Sequence, residues 1–176
     1  MKKRVQMNYQ MKKQNKMTEI IEIYGNNFTG KTLYALSLLE KNEITLYIDA
    51  DCKLQNNVNY PTNTYIANVN NIDVINNYIE QMITSLDAIV IDSLPSLTSD
   101  NNINNLQYDF DIFKTIRKII SLCKDNNVKL IIVNQIRTHK DEKIKSFGLR
   151  ALGLYYTKRI YIDDNGNAKI IKNLHD

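Results

Sequence analysis

Residues 22–36 read EIYGNNFTGKTLYAL, and the fold turns on how this stretch is read. The chain holds only 5 glycines in 176 residues, yet two of them stand here, between one apolar run and another. Gly25, Asn26, Asn27, Phe28, Thr29, Gly30, Lys31 and Thr32 fit G-x-x-x-x-G-K-[ST] in full, after a strand-like segment and at the opening of a helix-like one. Glycine lets the backbone turn back and aim successive N–H groups at phosphate oxygens, and the helix N-terminus adds its positive dipole end. Lys31 is expected to reach the outer phosphates as a flexible point charge and the Thr32 hydroxyl to hold Mg2+. A glycine turn that merely packs helix on strand would account for Gly25 and Gly30 but leave Lys31 and Thr32 in register unexplained.

Outward from this stretch, strand and helix signals alternate. EIIEIY from Glu19, EITLYIDAD from Glu43, LDAIVIDSL from Leu86 and VKLIIVNQI from Val128 are strand-like. KTLYALSLLEK puts Leu33, Leu36 and Leu39 on one helical side; Ile72, Ile75, Ile79, Met82 and Ile83 form a second stripe, and Ile112, Phe113, Ile116, Ile119, Ile120 and Cys123 a third. Nearly continuous apolar strands separated by helices predict an α/β fold, a mostly parallel sheet flanked by helices on both faces. In KRIYIDDNGNAKIIKN, Asn165-Gly166 between two strand-like runs predicts a C-terminal antiparallel hairpin. The polar stretches after Asp51, Thr98 and Arg137 read as loops.

Composition bounds the rest. At 43% hydrophobic and 24% charged residues, collagen-like and wholly disordered chains are excluded. No apolar run is long enough to span a bilayer and no signal peptide opens the chain, so a cytoplasmic protein without membrane partners is expected. Cys52 and Cys123 lack paired spacing and read as free thiols. The net charge of +4 is concentrated early, with six Lys or Arg before the first acidic residue; residues 1–17 read as a basic, disordered arm and 18–176 as one core.

A Mg2+-nucleotide site needs a carboxylate at the end of a neighbouring buried strand, and Asp92 after AIVI fits, although DSLPS is also rich in turn formers. With these residues in place, residues 19–173 resemble the RecA family of strand-exchange ATPases. EIYGNNFTGKT resembles its Walker A segment, LYIDAD the strand carrying its catalytic acid, AIVIDSLPSLTS its Walker B strand, and LIIVNQIR the strand ending in its nucleotide sensor. The resemblance implies a RecA-like P-loop NTPase core using ATP and Mg2+. Lys31 and Thr32 would bind phosphate and metal, Asp92 would hold Mg2+, and Gln135 would sense the terminal phosphate. Asp51 stands where the family has a glutamate that orients the attacking water, so the acid is one methylene shorter and slow hydrolysis is expected.

Two loops would meet single-stranded DNA. Residues 99–108 are mostly Asn with almost no positive charge. The stretch after Gln135 carries Arg137, Lys140, Lys143, Lys145 and Arg150 around Phe147, cations to neutralise phosphates and an aromatic to stack on bases. Asp141 and Glu142 interrupt that run, and a solvated charged loop is the other reading of it. Lys172 matches a lysine that in family filaments reaches the neighbouring subunit's ATP, whereas Leu174 stands where a second lysine would. The basic arm offers no counterpart to the family's polymerisation element, and nothing matches its C-terminal domain. Self-association is implied; a filament is not. The resemblance is closest to minimal core forms, the short recombinases and annealing proteins of phages and mobile elements. The expected function is ATP-dependent binding of single-stranded DNA with homologous pairing, annealing or strand exchange. Alternatives are an auxiliary paralogue, loader or regulator, that uses ATP as a switch, and a small P-loop nucleoside kinase.

Overall fold

A computed structural model of the chain describes residues 17–52, 59–98, 106–138 and 144–173. In chain order the elements are β1 (Ile20–Gly25), α1 (Lys31–Ser37), β2 (Thr45–Asp49), β3 (Thr64–Asn68), α2 (Ile72–Met82), β4 (Ala88–Asp92), α3 (Leu106–Asn126), β5 (Lys129–Thr138), β6 (Ile144–Ser146), α4 (Leu149–Leu152), β7 (Lys158–Ile162) and β8 (Ala168–Asn173). Short 3-10 turns follow α2 at Ile83–Ser85 and β4 at Leu94–Thr98. The strands form one sheet in the order β3-β2-β4-β5-β1-β7-β8, with β6 paired to β5. Pairings from β3 through β7 are parallel; β8 runs antiparallel to β7, and β6 antiparallel to β5. The α/β class, the mostly parallel sheet and the C-terminal hairpin all stand as expected, with Gly166 at φ 80 in the hairpin turn.

Side chains alternate between two cores, one on each face, as the pleat requires. Ile21, Ile23, Tyr47, Val90, Ile131, Val133, Ile160 and Ile162 pack with Ala35 and Leu36 of α1. On the other face Ile48, Ile89, Ile91, Leu130 and Ile132 meet Ile72, Ile75 and Ile79 of α2 and Ile112, Ile116, Ile119, Ile120 and Cys123 of α3. Both long-helix stripes face the sheet as read. The first does so in part: α1 is only seven residues long, Leu36 is buried with Ala35 and Leu39 packs against the same core just beyond the helix, but Leu33 is 65% exposed. Cys52 and Cys123 are free thiols, and burial pushes the latter up to about 12. Among the described residues no helix is long and apolar enough to cross a membrane.

Two pairings escaped the sequence reading. β3 lies within the polar stretch after Asp51, and β6 returns the chain after Arg137 onto β5. What anchors β6 is polar. Glu22, fully buried in β1, accepts Arg159 Nε of β7 at 2.6 Å and Asn134 Nδ2 of β5 at 2.8 Å. Arg159 also donates to Ser146 Oγ at 3.0 Å, while Asn134 Nδ2 donates to the Phe147 carbonyl and its Oδ1 accepts from Gln135 N, each at 2.8 Å. The charge in the middle of β1 is thus paired and hydrogen-bonded on both oxygens, which is what makes its burial tolerable. Removing it would strand Arg159, so Glu22→Ala is expected to lower unfolding stability by about 3–5 kcal/mol. Urea denaturation measures this, and a loss below about 1 kcal/mol would show that the pair is not needed for the fold.

Candidate nucleotide site

The same alternation that sorts the cores gathers the site. Counting outward from the α1-facing residues, Gly25 follows Ile23, Asp49 follows Tyr47, Asp92 follows Val90 and Gln135 follows Val133, each two residues on; the first three end their strands, and Gln135 ends the parallel pairing of β5 with β1. Parallel register sets them side by side, Gly25 opposite Gln135 and Asp49 opposite Asp92. Ligands of open α/β sheets bind at this edge.

Between β1 and α1 the loop is shaped by its own glycines. A Cβ on Gly25 would collide with the Ile162 carbonyl at the end of β7. Gly30 sits at φ 84 as the N-cap of α1, and a Cβ there would meet nothing within 4 Å, so backbone conformation rather than crowding calls for glycine. The Asn26 carbonyl gathers the loop: Thr29 Oγ1 donates to it at 3.0 Å, and the Lys31 ammonium donates to it as well. The Asn26 amide in turn donates to Asp164 Oδ1 at 2.7 Å, tying the loop to the β7–β8 hairpin. Phe28 stands at the crest with φ 62 and is fully exposed.

Facing the loop, Asp92 Oδ2 accepts two hydroxyls at 2.6 Å each, from Thr32 of α1 and Tyr47 of β2. Burial pushes the Asp92 carboxyl above its usual range, and the charges of Asp51 and Asp49 add to this, while the two hydroxyl bonds hold it back. Burial likewise lowers Lys31, against the pull of Asp92 and Asp51. Ser93 Oγ donates to Asp51 Oδ1 at 3.3 Å and shares a 2.8 Å bond with Ser96. The resulting cleft of about 460 Å³ is lined by Asn27, Phe28, Thr29, Gly30, Lys31 and Thr32 from the loop and by Asp49, Asp51, Asp92, Ser93, Val133 and Gln135 from the strand ends.

Nine of the residues singled out from sequence therefore share one cleft: Asn27 through Thr32 together with Asp51, Asp92 and Gln135. Gly25 and Asn26 begin the loop that forms its wall. Asp49, at the end of β2, is buried and lines the cleft as well. Lys172 lies on the edge strand β8, outside its own chain's cleft, and donates to the Gly153 carbonyl at 3.1 Å. The cationic stretch is described in part. Lys140 and Lys143 lie outside the described residues, only the backbone of Arg137 is described, Lys145 is half-buried opposite it on β6, and Arg150 is exposed on α4.

Phe147 needs correcting. It is 3% exposed, its ring 5.4 Å from that of Phe113 and inside the core under α3. Gly148, at φ 65, lets the chain turn there, and a Cβ on it would strike the Phe113 ring. An aromatic amid cations looked free to stack on bases; the apolar residues beneath α3 claim it instead. Sequence reasoning also missed Tyr47, Glu22 and Asn134. Their signal was a polar group inside an otherwise apolar strand.

The donor set fits a magnesium nucleotide. A cation, a hydroxyl and a carboxylate converge beside a glycine-shaped loop that opens a helix.

No family model matches the chain. It is 26% identical to the protein RecA of Malacoplasma penetrans (strain HF-2) over 181 aligned positions, which cover 88% of this chain and 53% of that protein. The chain spans about half the length of the curated relative it matches. Among solved structures it is similar to a KaiC-like protein from the hyperthermophilic archaeon Pyrococcus horikoshii OT3, with a TM-score of 0.64, 17% identity, and coverage of 88% of this chain and 79% of that one. The shared feature is the fold, a mostly parallel sheet flanked by helices with a C-terminal antiparallel hairpin.

The two loop glycines are required for different reasons, so their substitutions separate. Gly30→Ala meets only the left-handed backbone penalty, about 1–2 kcal/mol. Gly25→Ala drives a methyl into a backbone carbonyl and is expected to cost more, about 3 kcal/mol. Urea midpoints of the two variants check the order, and the reverse order would contradict the loop geometry.

Proposed function

We propose that this chain binds ATP with Mg2+ in the cleft at residues 25–32 and works as a RecA-like, single-stranded-DNA-binding ATPase that promotes homologous pairing, annealing or strand exchange. The observation that carries this reading is the 2.6 Å contact between Thr32 and Asp92, inside a cleft that also holds Lys31 and Gln135. Similarity to a protein RecA over 88% of the chain supports it.

Thr32 and Asp92 would hold the metal. Mg2+ bound there would neutralise phosphate charge and polarise the terminal phosphoryl group. Lys31 exchanges the Asn26 carbonyl for phosphate oxygens, and the backbone N–H groups at the start of α1 meet the remaining charge. Asp51, held by Ser93, is the carboxylate that orients water. Its short side chain makes hydrolysis slow. Gln135 occupies the sensor position, and its backbone continues through β5 to the stretch expected to meet DNA. Its carbonyl accepts from Phe147 N at 2.9 Å where the chain returns. Arg150 and Lys145 stand on the returning side of that stretch, where phosphates of a single strand would be neutralised.

A second reading is favoured by the burial of Phe147 and by the engagement of Lys172 within its own chain. In it the protein switches with ATP but assists a partner instead of pairing strands itself. Strand-annealing assays with the isolated chain decide between the two.

Lys31→Ala is expected to lower ATP affinity at least 100-fold on general grounds of phosphate-site electrostatics, with a thermal midpoint close to that of the parent chain. Fluorescent-nucleotide titration measures it, and unchanged affinity would remove Lys31 from the site. The parent chain should bind a labelled single-stranded oligonucleotide more tightly with a nonhydrolysable ATP analogue than without, and the binding should weaken with salt. Asp51→Glu restores the longer acid and should raise ATP turnover; an unchanged or lower rate in a phosphate-release assay would take Asp51 out of the role of orienting water.

A further inference from the structure

We propose that Tyr47 is a positioning residue of the metal site, its hydroxyl holding Asp92 in place while Asp92 and Thr32 together receive Mg2+. The proposal rests on the reading of the cleft as a magnesium-nucleotide site.

Tyr47 belongs to the apolar core under α1, where its side chain is fully buried and packs edge-on to Tyr60 with ring centres 5.5 Å apart. Phenylalanine would fill that space equally well, and a buried hydroxyl needs a partner that phenylalanine does not. Here the hydroxyl reaches Asp92 Oδ2 at 2.6 Å. The fold does leave the hydroxyls of Tyr60 and Tyr156 buried without a partner, so pairing is not a property of every buried phenol in this chain.

Register explains why the residue is a tyrosine. Tyr47 lies opposite Val90, while Asp92 is two residues further along β4 on the same face. Two residues of strand rise about 6.6 Å. A phenol is long enough to span that row from within the core. A serine or threonine at the same position is too short.

The bond also differs in kind from the other one Asp92 makes. Thr32 is the partner with a second task, since its hydroxyl is itself assigned to the metal and its backbone lies in the first turn of α1. Tyr47 is fixed by the sheet and by the core. Both hydroxyls bind Oδ2, so neither of these bonds occupies Oδ1. Without Tyr47, the carboxylate would keep only the hydroxyl that the metal itself engages. Outer-shell partners of this type typically govern 10–100-fold in metal affinity.

The test is Mn2+ binding, followed as the protein-dependent loss of the free-ion electron paramagnetic resonance signal beyond that caused by the nonhydrolysable ATP analogue alone, for the parent chain, Tyr47→Phe and Tyr60→Phe. Nucleotide binding in EDTA is measured alongside. Tyr47→Phe should weaken Mn2+ binding about 10–100-fold and leave nucleotide affinity in EDTA unchanged. Tyr60→Phe, which loses an unpartnered hydroxyl, should leave both unchanged. Mn2+ affinity in Tyr47→Phe within about threefold of the parent would overturn the proposal while leaving the cleft reading intact. An equal loss with and without metal would also overturn it, because it would mark a general packing defect. A parent chain that takes up no Mn2+ with the nucleotide analogue would defeat the cleft reading itself, and this proposal with it.

Discussion

Parallel register is the constraint on which the site depends. Because β1, β2, β4 and β5 run the same way, their carboxyl ends meet along one edge, and because side chains alternate, the residues two beyond the last α1-facing core positions all face the same side. Gly25, Asp49, Asp92 and Gln135 are brought together by that parity alone. A slip of one residue in any of these strands would turn its site residue to the opposite face, where α2 and α3 lie. The isoleucine-rich cores on both faces resist such a slip, so the packing that stabilises the sheet also sets the spacing of the chemistry.

Charge is managed locally in every part of this arrangement. The ammonium of Lys31 rests on the Asn26 carbonyl, the Thr32 hydroxyl on Asp92, and Asp92 also on Tyr47. Groups suited to phosphate and metal are thus satisfied by the protein itself, which avoids burying them unpaired. One layer away, on the other face of β1, Glu22 is satisfied by Arg159 and Asn134, and Asn134 clasps both Gln135 and the carbonyl of Phe147. The strand that leads into the loop at residues 25–32 and the strand that carries Gln135 are therefore joined by side chains as well as by their ladder.

Much of this was legible in the sequence. The loop at residues 25–32 was readable because its chemistry demands fixed residue types at fixed spacing, and the long helices because their isoleucines recur at helical period. β3 was not, because TYIAN is short, lies on a sheet edge, and is flanked by the asparagines and proline of a loop. Phe147 was misread for a different reason. Sequence shows the cations around it, whereas its place beneath α3 follows from Gly148 turning the chain against Phe113, a contact 34 residues away by the numbering. Glu22 and Tyr47 sat in apolar strands as exceptions, and only three-dimensional partners distinguish a satisfied buried polar group from an exposed one. Lys140 and Lys143, in the stretch expected from sequence to meet DNA, lie outside the described residues.

The central claim is that the cleft accepts a triphosphate on the loop at residues 25–32, with metal held between Thr32 and Asp92. A crystal structure of the chain grown with Mg2+ and a nonhydrolysable ATP analogue tests it most directly. Phosphates are expected along that loop, with the Lys31 ammonium moved from the Asn26 carbonyl onto phosphate oxygen and a metal beside Thr32 and Asp92. A nucleotide seated elsewhere, or Lys31 still on the Asn26 carbonyl with the cleft closed to phosphate, would contradict it.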